Sequence, residues 1–198
     1  MSRTVVEASA SAIVSCLFKI LAARPNVEVL DPAAEIIRKA QAMRSSVVDL
    51  AMYEKAKFFV AKWPTQQKID GVDIEMEGAQ KENASASNGA PASSGRNPEE
   101  AANEASIAGF RGAYERFEPL ILTVLSADDG RQGSETENLR RERVALALAL
   151  AGKGSRLSAP LAAILDAWSQ TERSRPLRED IERARLLNSG KSLTQHAS

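Results

Sequence analysis

Large apolar side chains recur between Ile107 and Val124 at alternating steps of three and four residues. The series consists of Ile107, Phe110, Tyr114, Phe117, Ile121 and Val124. In an α-helix this spacing places the side chains on one stripe, which another part of a protein must cover. The stripe is short, which favours a helix bundle over an extended coiled coil. The segment therefore predicts a helical domain with a packed core.

Signals for three further helices follow this stripe. Ser134 and Glu137 have the spacing of a capping box, in which each side chain bonds to an amide at the start of a helix. Gly152 is placed to end that helix in the left-handed conformation. Ser158 is the predicted cap of the next helix, and the last helix starts near Pro176.

The N-terminal part of the chain predicts two helices. In the first, the apolar residues Val6, Ala10, Ile13, Leu17 and Ile20 form a stripe that we expect to be the packed face. The second is predicted as one helix of about 30 residues from the start signal Asp31-Pro32 to Trp63-Pro64, where proline cannot continue the hydrogen-bond ladder. A break near Ser45-Ser46 is the alternative.

The composition separates these two helical parts. Residues 80–97 are rich in Ala, Ser, Asn, Gly and Pro and contain no large apolar side chain that would offset the entropy of ordering them. The predicted fold is therefore all-α, an N-terminal helical hairpin and a C-terminal antiparallel helical bundle joined by a disordered linker. The predicted boundaries are 1–64 for the hairpin, 65–98 for the linker, 99–190 for the four-helix bundle and 191–198 for a disordered tail.

The charges and the single cysteine limit the classes of partner and compartment. The net charge is zero, with +3 over residues 1–64, −7 over 65–129 and +4 over 130–198. An acidic middle argues against a strongly cationic nucleic-acid binder. Cys16 cannot form an intramolecular disulfide, which favours the cytoplasm. The segment ending at Cys16 also resembles a lipoprotein cleavage box, and the first helix resembles an organelle presequence, so these are the alternatives. Glu7 and Lys19 interrupt the first helix and argue against a membrane span.

No recognisable catalytic constellation occurs in the sequence. His196 is the only histidine and lies far from Cys16, so neither a zinc site nor a nucleophile with a histidine base can be assembled. The run Gly152-Lys153-Gly154-Ser155 departs from the phosphate-loop pattern, because Ala147 stands where the first glycine belongs. We therefore expect a protein without catalytic activity, cofactor or metal.

The leading hypothesis is a helical interaction or structural protein that binds a protein partner or a copy of itself. An aromatic cluster at the end of the second helix is interpreted mainly as core or as contact with a partner. A repeat of small residues lets another helix approach closely. The candidate partner contacts are Tyr53, Phe58, Phe59 and Trp63 in the cluster, and Ala105, Gly109 and Ala113 in the repeat.

The alternative hypothesis is a coat or nucleoid-type protein that binds nucleic acid through an arginine-rich C-terminal face. Arginine suits phosphate geometry, although acidic residues are interspersed with these arginines and favour an ordinary solvated face. The candidate nucleic-acid contacts are Arg140, Arg141, Arg143, Arg156, Arg173 and Arg175.

Overall fold

The computed structural model of this chain describes residues 2–65, 110, 112–126, 136–154 and 156–187. These residues form seven α-helices and no strand, which confirms the predicted all-α class. The helices are α1 (Arg3–Ala23), α2 (Leu30–Ala42), α3 (Ser46–Ala61), α4 (Ala113–Leu125), α5 (Glu137–Ala151), α6 (Ala159–Thr171) and α7 (Arg175–Leu186). A single 3-10 turn, Val27–Val29, leads into α2. The predicted linker at 65–98, apart from Thr65, and the predicted tail lie outside the described residues.

The helices alternate along the chain between two layers. One layer contains α1, α3, α5 and α7, and each of these helices packs on the next. The other layer contains α2, α4 and α6, again with each helix packed on the next. Contacts between the layers join neighbours in sequence, such as α1 with α2 and α6 with α7. The fold is therefore a stack of helical pairs, in which each pair covers the apolar face of the one beside it.

A single core runs through all seven helices, so the N-terminal and C-terminal parts pack together. Its centre is the ring of Phe59 on α3, whose centroid lies 5.5 Å from that of Phe117 on α4 and 6.0 Å from that of Phe18 on α1. Trp63 packs edge-on against Phe59 at 5.4 Å. These side chains are almost completely buried. Helices that are distant in sequence are thus held by one aromatic cluster.

Polar contacts also join α3 to the C-terminal part of the chain. Lys57 on α3 forms a 2.5 Å ion pair with Glu142 on α5. The amine of Lys153, just after α5, donates hydrogen bonds to the main-chain oxygens of Ala61 (3.1 Å) and Trp63 at the end of α3. Burial lowers the pKa of Lys153. Because the last carbonyls of a helix have no partner within it, a cation at this position satisfies them.

The single helix predicted from Asp31-Pro32 to Trp63-Pro64 is wrong, and the alternative of a break near Ser45-Ser46 is confirmed, because the chain turns between α2 and α3. Arg44 adopts a positive φ of 50°, which ends α2 in the left-handed region. The Ser45 side chain then accepts a hydrogen bond from the amide of Val48 and caps α3. The turn lets α2 and α3 enter different layers.

Three other helix ends differ from the sequence prediction. Gly112, with φ 68°, precedes α4, so the predicted helix carrying the apolar stripe does not run through this point. The side chain that caps α5 belongs to Thr136, which accepts from the amide of Leu139, and Ser134 lies outside the described residues. Gly152 ends α5 in a right-handed conformation, with φ −71°. The predicted cap at Ser158 is confirmed, since its hydroxyl accepts from the amide of Leu161.

Candidate interaction surfaces

The predicted packed face of α1 is not the face that the structure buries. Val14, Phe18 and Leu21 point into the core. Val6, Ile13 and Ile20, seven residues apart from one another, remain 42%, 55% and 59% exposed. The helix is apolar around more than half of its circumference, and its contact with α3 covers only one side. An uncovered apolar stripe, defined here as Val6, Ile13 and Ile20, therefore lies at one end of the stack.

A shallow groove between α1 and α2 borders this stripe. Its volume is about 240 Å³, and the lining residues are Ala10, Ile13 and Val14 of α1 with Ile36, Lys39, Ala40 and Met43 of α2. Lys39 is the only charged side chain among them. The exposed stripe and the groove together form an apolar surface, which we call the α1 end face.

The opposite end of the stack has a different character. α7 packs on α5 and α6 through Leu177, Ile181 and Ala184. Its outer surface carries ion pairs between neighbouring turns, namely Arg175 with Glu179 (2.9 Å), Arg183 with Asp180 (2.8 Å) and Arg185 with Glu182 (2.8 Å). Leu186 and Leu187 at the C-terminal end are the exposed apolar exceptions. The terminal helix of a helical stack has one face in solvent, and a polar outer surface stabilises that face in water.

α1 is also long and apolar enough to cross a membrane, judged by length and composition alone. It is the only such helix within the described part of the chain, and 17% of its most apolar window is buried. This criterion is weak, because the core helix of a globular protein can meet it as well. In this structure, Phe18 on α1 contacts Phe59 of the central aromatic cluster.

Most of the aromatic candidates for partner contact lie inside the protein. Tyr53, Phe59 and Trp63 are at most 2% exposed, so a partner cannot reach them in this structure. The sequence shows a cluster of aromatics but does not show that α1 and α4 cover it. Phe58 differs, since its ring is 61% exposed and lies 5.3 Å from the amine of Lys62.

The small-residue candidates do not provide a described contact surface either. Ala113 begins α4 and is 1% exposed, because it packs within the core. Ala105 and Gly109 lie outside the described residues. A close approach does occur at another glycine: a β-carbon at Gly154 would stand 2.8 Å from the ring of Tyr114. The Gly152-Lys153-Gly154 run thus has a packing role.

Several of the candidate arginines converge on one cleft between α5, the end of α6 and α7. The cleft has a volume of about 550 Å³ and is lined by Arg140, Arg143, Val144, Trp168, Gln170, Thr171, Glu172, Arg173, Arg178 and Ile181. We call it the arginine cleft. The sequence prediction named three of its four arginines and omitted Arg178 from the contact set.

The side chains of the arginine cleft are held by specific contacts. The guanidinium of Arg143 lies 4.6 Å from the indole centroid of Trp168, and both side chains are buried. Nε of Arg140 is 3.4 Å from the carboxylate of Glu172. Arg178 donates to the main-chain oxygen of Glu172 from Nη2 (2.7 Å) and Nε (3.2 Å). The lining thus contains four arginines and one glutamate, whose carboxylate is paired with Arg140.

The other candidate arginines lie outside the cleft. Arg141 forms an ion pair with Glu137 one turn away (3.1 Å), and Arg175 forms the pair with Glu179 described above. Arg156 is exposed between α5 and α6. Such exposed pairs partly cancel the charge of the arginines. Among the six candidate arginines, three line the cleft, two outside it are paired with glutamates, and Arg156 is exposed apart from it.

No group of three or more His, Cys, Asp or Glu side chains that could hold a metal ion occurs in the part of the chain that the structure describes. Cys16 is an exposed free thiol on α1. His196 lies outside the described residues.

The two-layer stack of alternating helices is the architecture of armadillo-like helical repeats, a class of interaction and structural proteins that is typically non-catalytic. A family model described as "ECM29, C-terminal ARM-like repeats" matches residues 1–187, and the chain belongs to this family. No curated protein and no solved structure gives a significant match to the chain.

Proposed function

We propose that this protein is a non-catalytic scaffold module that assembles with a second copy of itself through the α1 end face. The observation that carries the proposal is the apolar stripe of Val6, Ile13 and Ile20, which no described helix covers. In a helical stack each layer buries its apolar side against the next, and a terminal layer needs a polar outer surface. The outer surface of α7 carries ion pairs, with Leu186 and Leu187 exposed at its C-terminal end, whereas the stripe of α1 carries no charged side chain.

The difference between the two ends favours contact between like ends. If copies stacked head to tail, the apolar stripe of α1 would lie on the ion-paired surface of α7 and would desolvate those charges at a cost. If two α1 end faces meet about a two-fold axis, both stripes are covered at once and the assembly closes as a dimer. In such a dimer α1 would pack against the second copy on one face and keep its contact with α3 on another.

The test is the mass of the full chain in solution, measured by light scattering coupled to size-exclusion chromatography. We expect twice the chain mass of 21.3 kDa at tens of micromolar. Ile13→Glu should shift the protein to a monomer, because a buried carboxylate without a partner is strongly unfavourable. Val47→Glu is the matched control, since Val47 is 57% exposed on α3 and lies outside the α1 end face. Circular dichroism checks that both variants remain helical.

Two results would overturn the proposal. One is a strictly monomeric wild-type chain at these concentrations, and the other is equal dissociation by Ile13→Glu and Val47→Glu. Flotation with phosphatidylcholine vesicles tests a different use of the same face. Vesicle binding that Ile13→Glu abolishes, together with a monomeric chain in buffer, would assign the α1 end face to a lipid surface and reject self-association.

A further inference from the structure

The arginine cleft is a second candidate site, at the opposite side of the stack from α1 and independent of self-association. Its lining contains Arg140, Arg143, Arg173 and Arg178 but only one carboxylate, that of Glu172. Positive charge in a concave site with apolar walls produces a stronger local potential than the same charge spread over a convex surface. The cleft is therefore suited to an anionic ligand.

The floor and the rim of the cleft have different properties. Val144, Trp168 and Ile181 lie beneath the cleft and are almost completely buried, and the guanidinium of Arg143 covers the Trp168 ring. Arg173 and Arg178 are exposed at the rim. Arg173 has no ion pair with any described residue, whereas Arg178 is oriented by its two hydrogen bonds to the Glu172 main chain. A ligand that carries carboxylates would match the exposed arginines at the rim.

We propose that the arginine cleft binds a short acidic segment of a partner protein, with carboxylates paired to Arg173 and Arg178. The planar guanidinium presents parallel N–H donors that fit a carboxylate. The volume of about 550 Å³ lies within the usual range of ligand pockets and holds only a short segment.

The surroundings of the cleft favour a peptide over nucleic acid. A polynucleotide is held mainly by contacts with successive phosphates, which require an extended basic track. Outside the cleft, Arg141 and Arg175 are paired with glutamates, so such a track is interrupted. The face of Trp168 is covered by the guanidinium of Arg143 and cannot stack on a base. A localised cationic cleft fits a few carboxylates better.

The experiment measures binding of a fluorescein-labelled peptide, Glu-Asp-Leu-Glu-Asp, to the full chain by fluorescence anisotropy. We expect binding that weakens as salt concentration rises, because the rim charges are exposed to solvent. The amide counterpart, Gln-Asn-Leu-Gln-Asn, should not bind. A labelled single-stranded oligonucleotide and inorganic phosphate, used as a competitor, complete the set of probes.

Arg173→Ala is the main variant, because this side chain makes no hydrogen bond or ion pair with any residue that the structure describes. It should weaken peptide binding about ten-fold, as loss of one well-placed charge pair does. Arg156→Ala removes the same charge from an exposed position outside the cleft and should change the affinity less than about two-fold. Arg178→Ala should weaken binding as Arg173→Ala does, and its urea midpoint shows whether the fold has been affected.

Three outcomes would overturn the assignment: no binding of the acidic peptide at low salt, an equal loss with Arg156→Ala and Arg173→Ala, or cleft-dependent binding of the oligonucleotide or phosphate without the peptide. The proposed self-association is judged separately, because Arg173→Ala should leave the oligomer mass unchanged and Ile13→Glu should leave peptide binding unchanged.

Discussion

Truncation of Phe59 tests whether the N-terminal and C-terminal helices share one core. The ring is fully buried and contacts aromatic rings from three other places in the chain, namely Phe18, Phe117 and, at 6.1 Å, Phe110. Replacing a buried phenylalanine by alanine removes its apolar contacts and leaves a cavity, which typically costs about 3–5 kcal/mol. Since the neighbours come from different helices, the cavity cannot close by a shift of one helix. We therefore expect a cost above the lower end of that range, about 4 kcal/mol.

The assay is urea denaturation, followed by circular dichroism and tryptophan fluorescence. Phe59→Ala should lower the free energy of unfolding by about 4 kcal/mol, a large part of the roughly 5–15 kcal/mol of a typical domain. Phe58→Ala is the matched control, because the adjacent ring is 61% exposed and should cost less than about 1 kcal/mol.

The cooperativity of unfolding provides a second criterion. Because Phe59 joins α1, α3 and α4, the wild-type chain should unfold in one transition with both probes coincident. Two separate transitions, or a loss from Phe59→Ala as small as that from Phe58→Ala, would refute a core shared between the two halves.

Three further substitutions test local features of the packing. Gly154→Ala should destabilise by about 1–3 kcal/mol, because its β-carbon would lie 2.8 Å from the Tyr114 ring, whereas Gly152→Ala, with its nearest contact at 3.5 Å, should be tolerated in the same urea assay. Burial and the hydrogen bond to Glu118 raise the pKa of Tyr114 above its ordinary value, so its stabilising effect is present below pH 10 and is lost as pH rises further. The free energy of unfolding of the wild type should therefore fall by about 1.4 kcal/mol per pH unit above pH 10 through this group, whereas that of Tyr114→Phe should not. The urea midpoints of the two proteins should converge between pH 9 and pH 11. Lys153→Met should cost about 1–3 kcal/mol by leaving two carbonyls at the end of α3 without their donor, and Lys62→Met on the exposed side of that helix end should have little effect, as thermal melts would show.

Most helices could be predicted from the sequence, because capping residues and apolar periodicity within a few residues are sufficient to indicate a helix. The cap at Ser158 and the apolar stripe through Tyr114, Phe117 and Ile121 depend only on neighbours within a few residues. The division between α2 and α3 could be given only as an alternative break near Ser45-Ser46, because Arg44 adopts a left-handed conformation that the sequence around it does not require. A glycine there would have indicated the turn.

The candidate sites were harder to predict, because burial depends on contacts between distant parts of the chain. Tyr53, Phe59 and Trp63 are aromatic residues of the same short segment as exposed Phe58, and nothing local distinguishes them. Which of these rings is buried depends on the packing of α1 and α4. The arginine cleft likewise requires α5 and α7 to be neighbours in one layer. The sequence showed several arginines, but only the packing of the helices places Arg173 and Arg178 at the rim of the arginine cleft.

The first helix shows why periodicity alone cannot determine a packed face. Residues at Val6, Ile13 and Ile20 form as regular a series as those at Val14, Phe18 and Leu21, so the sequence contains two apolar stripes on one helix. α3 can cover only one of them, and it covers the side that carries the aromatic ring. A helix that met no second partner would gain nothing from the other stripe and would be more stable in water with polar residues there. The packing among the described helices gives no role to the stripe of Val6, Ile13 and Ile20, and the proposed self-association would supply one. The oligomer mass of Ile13→Glu, compared with that of the wild type, tests this.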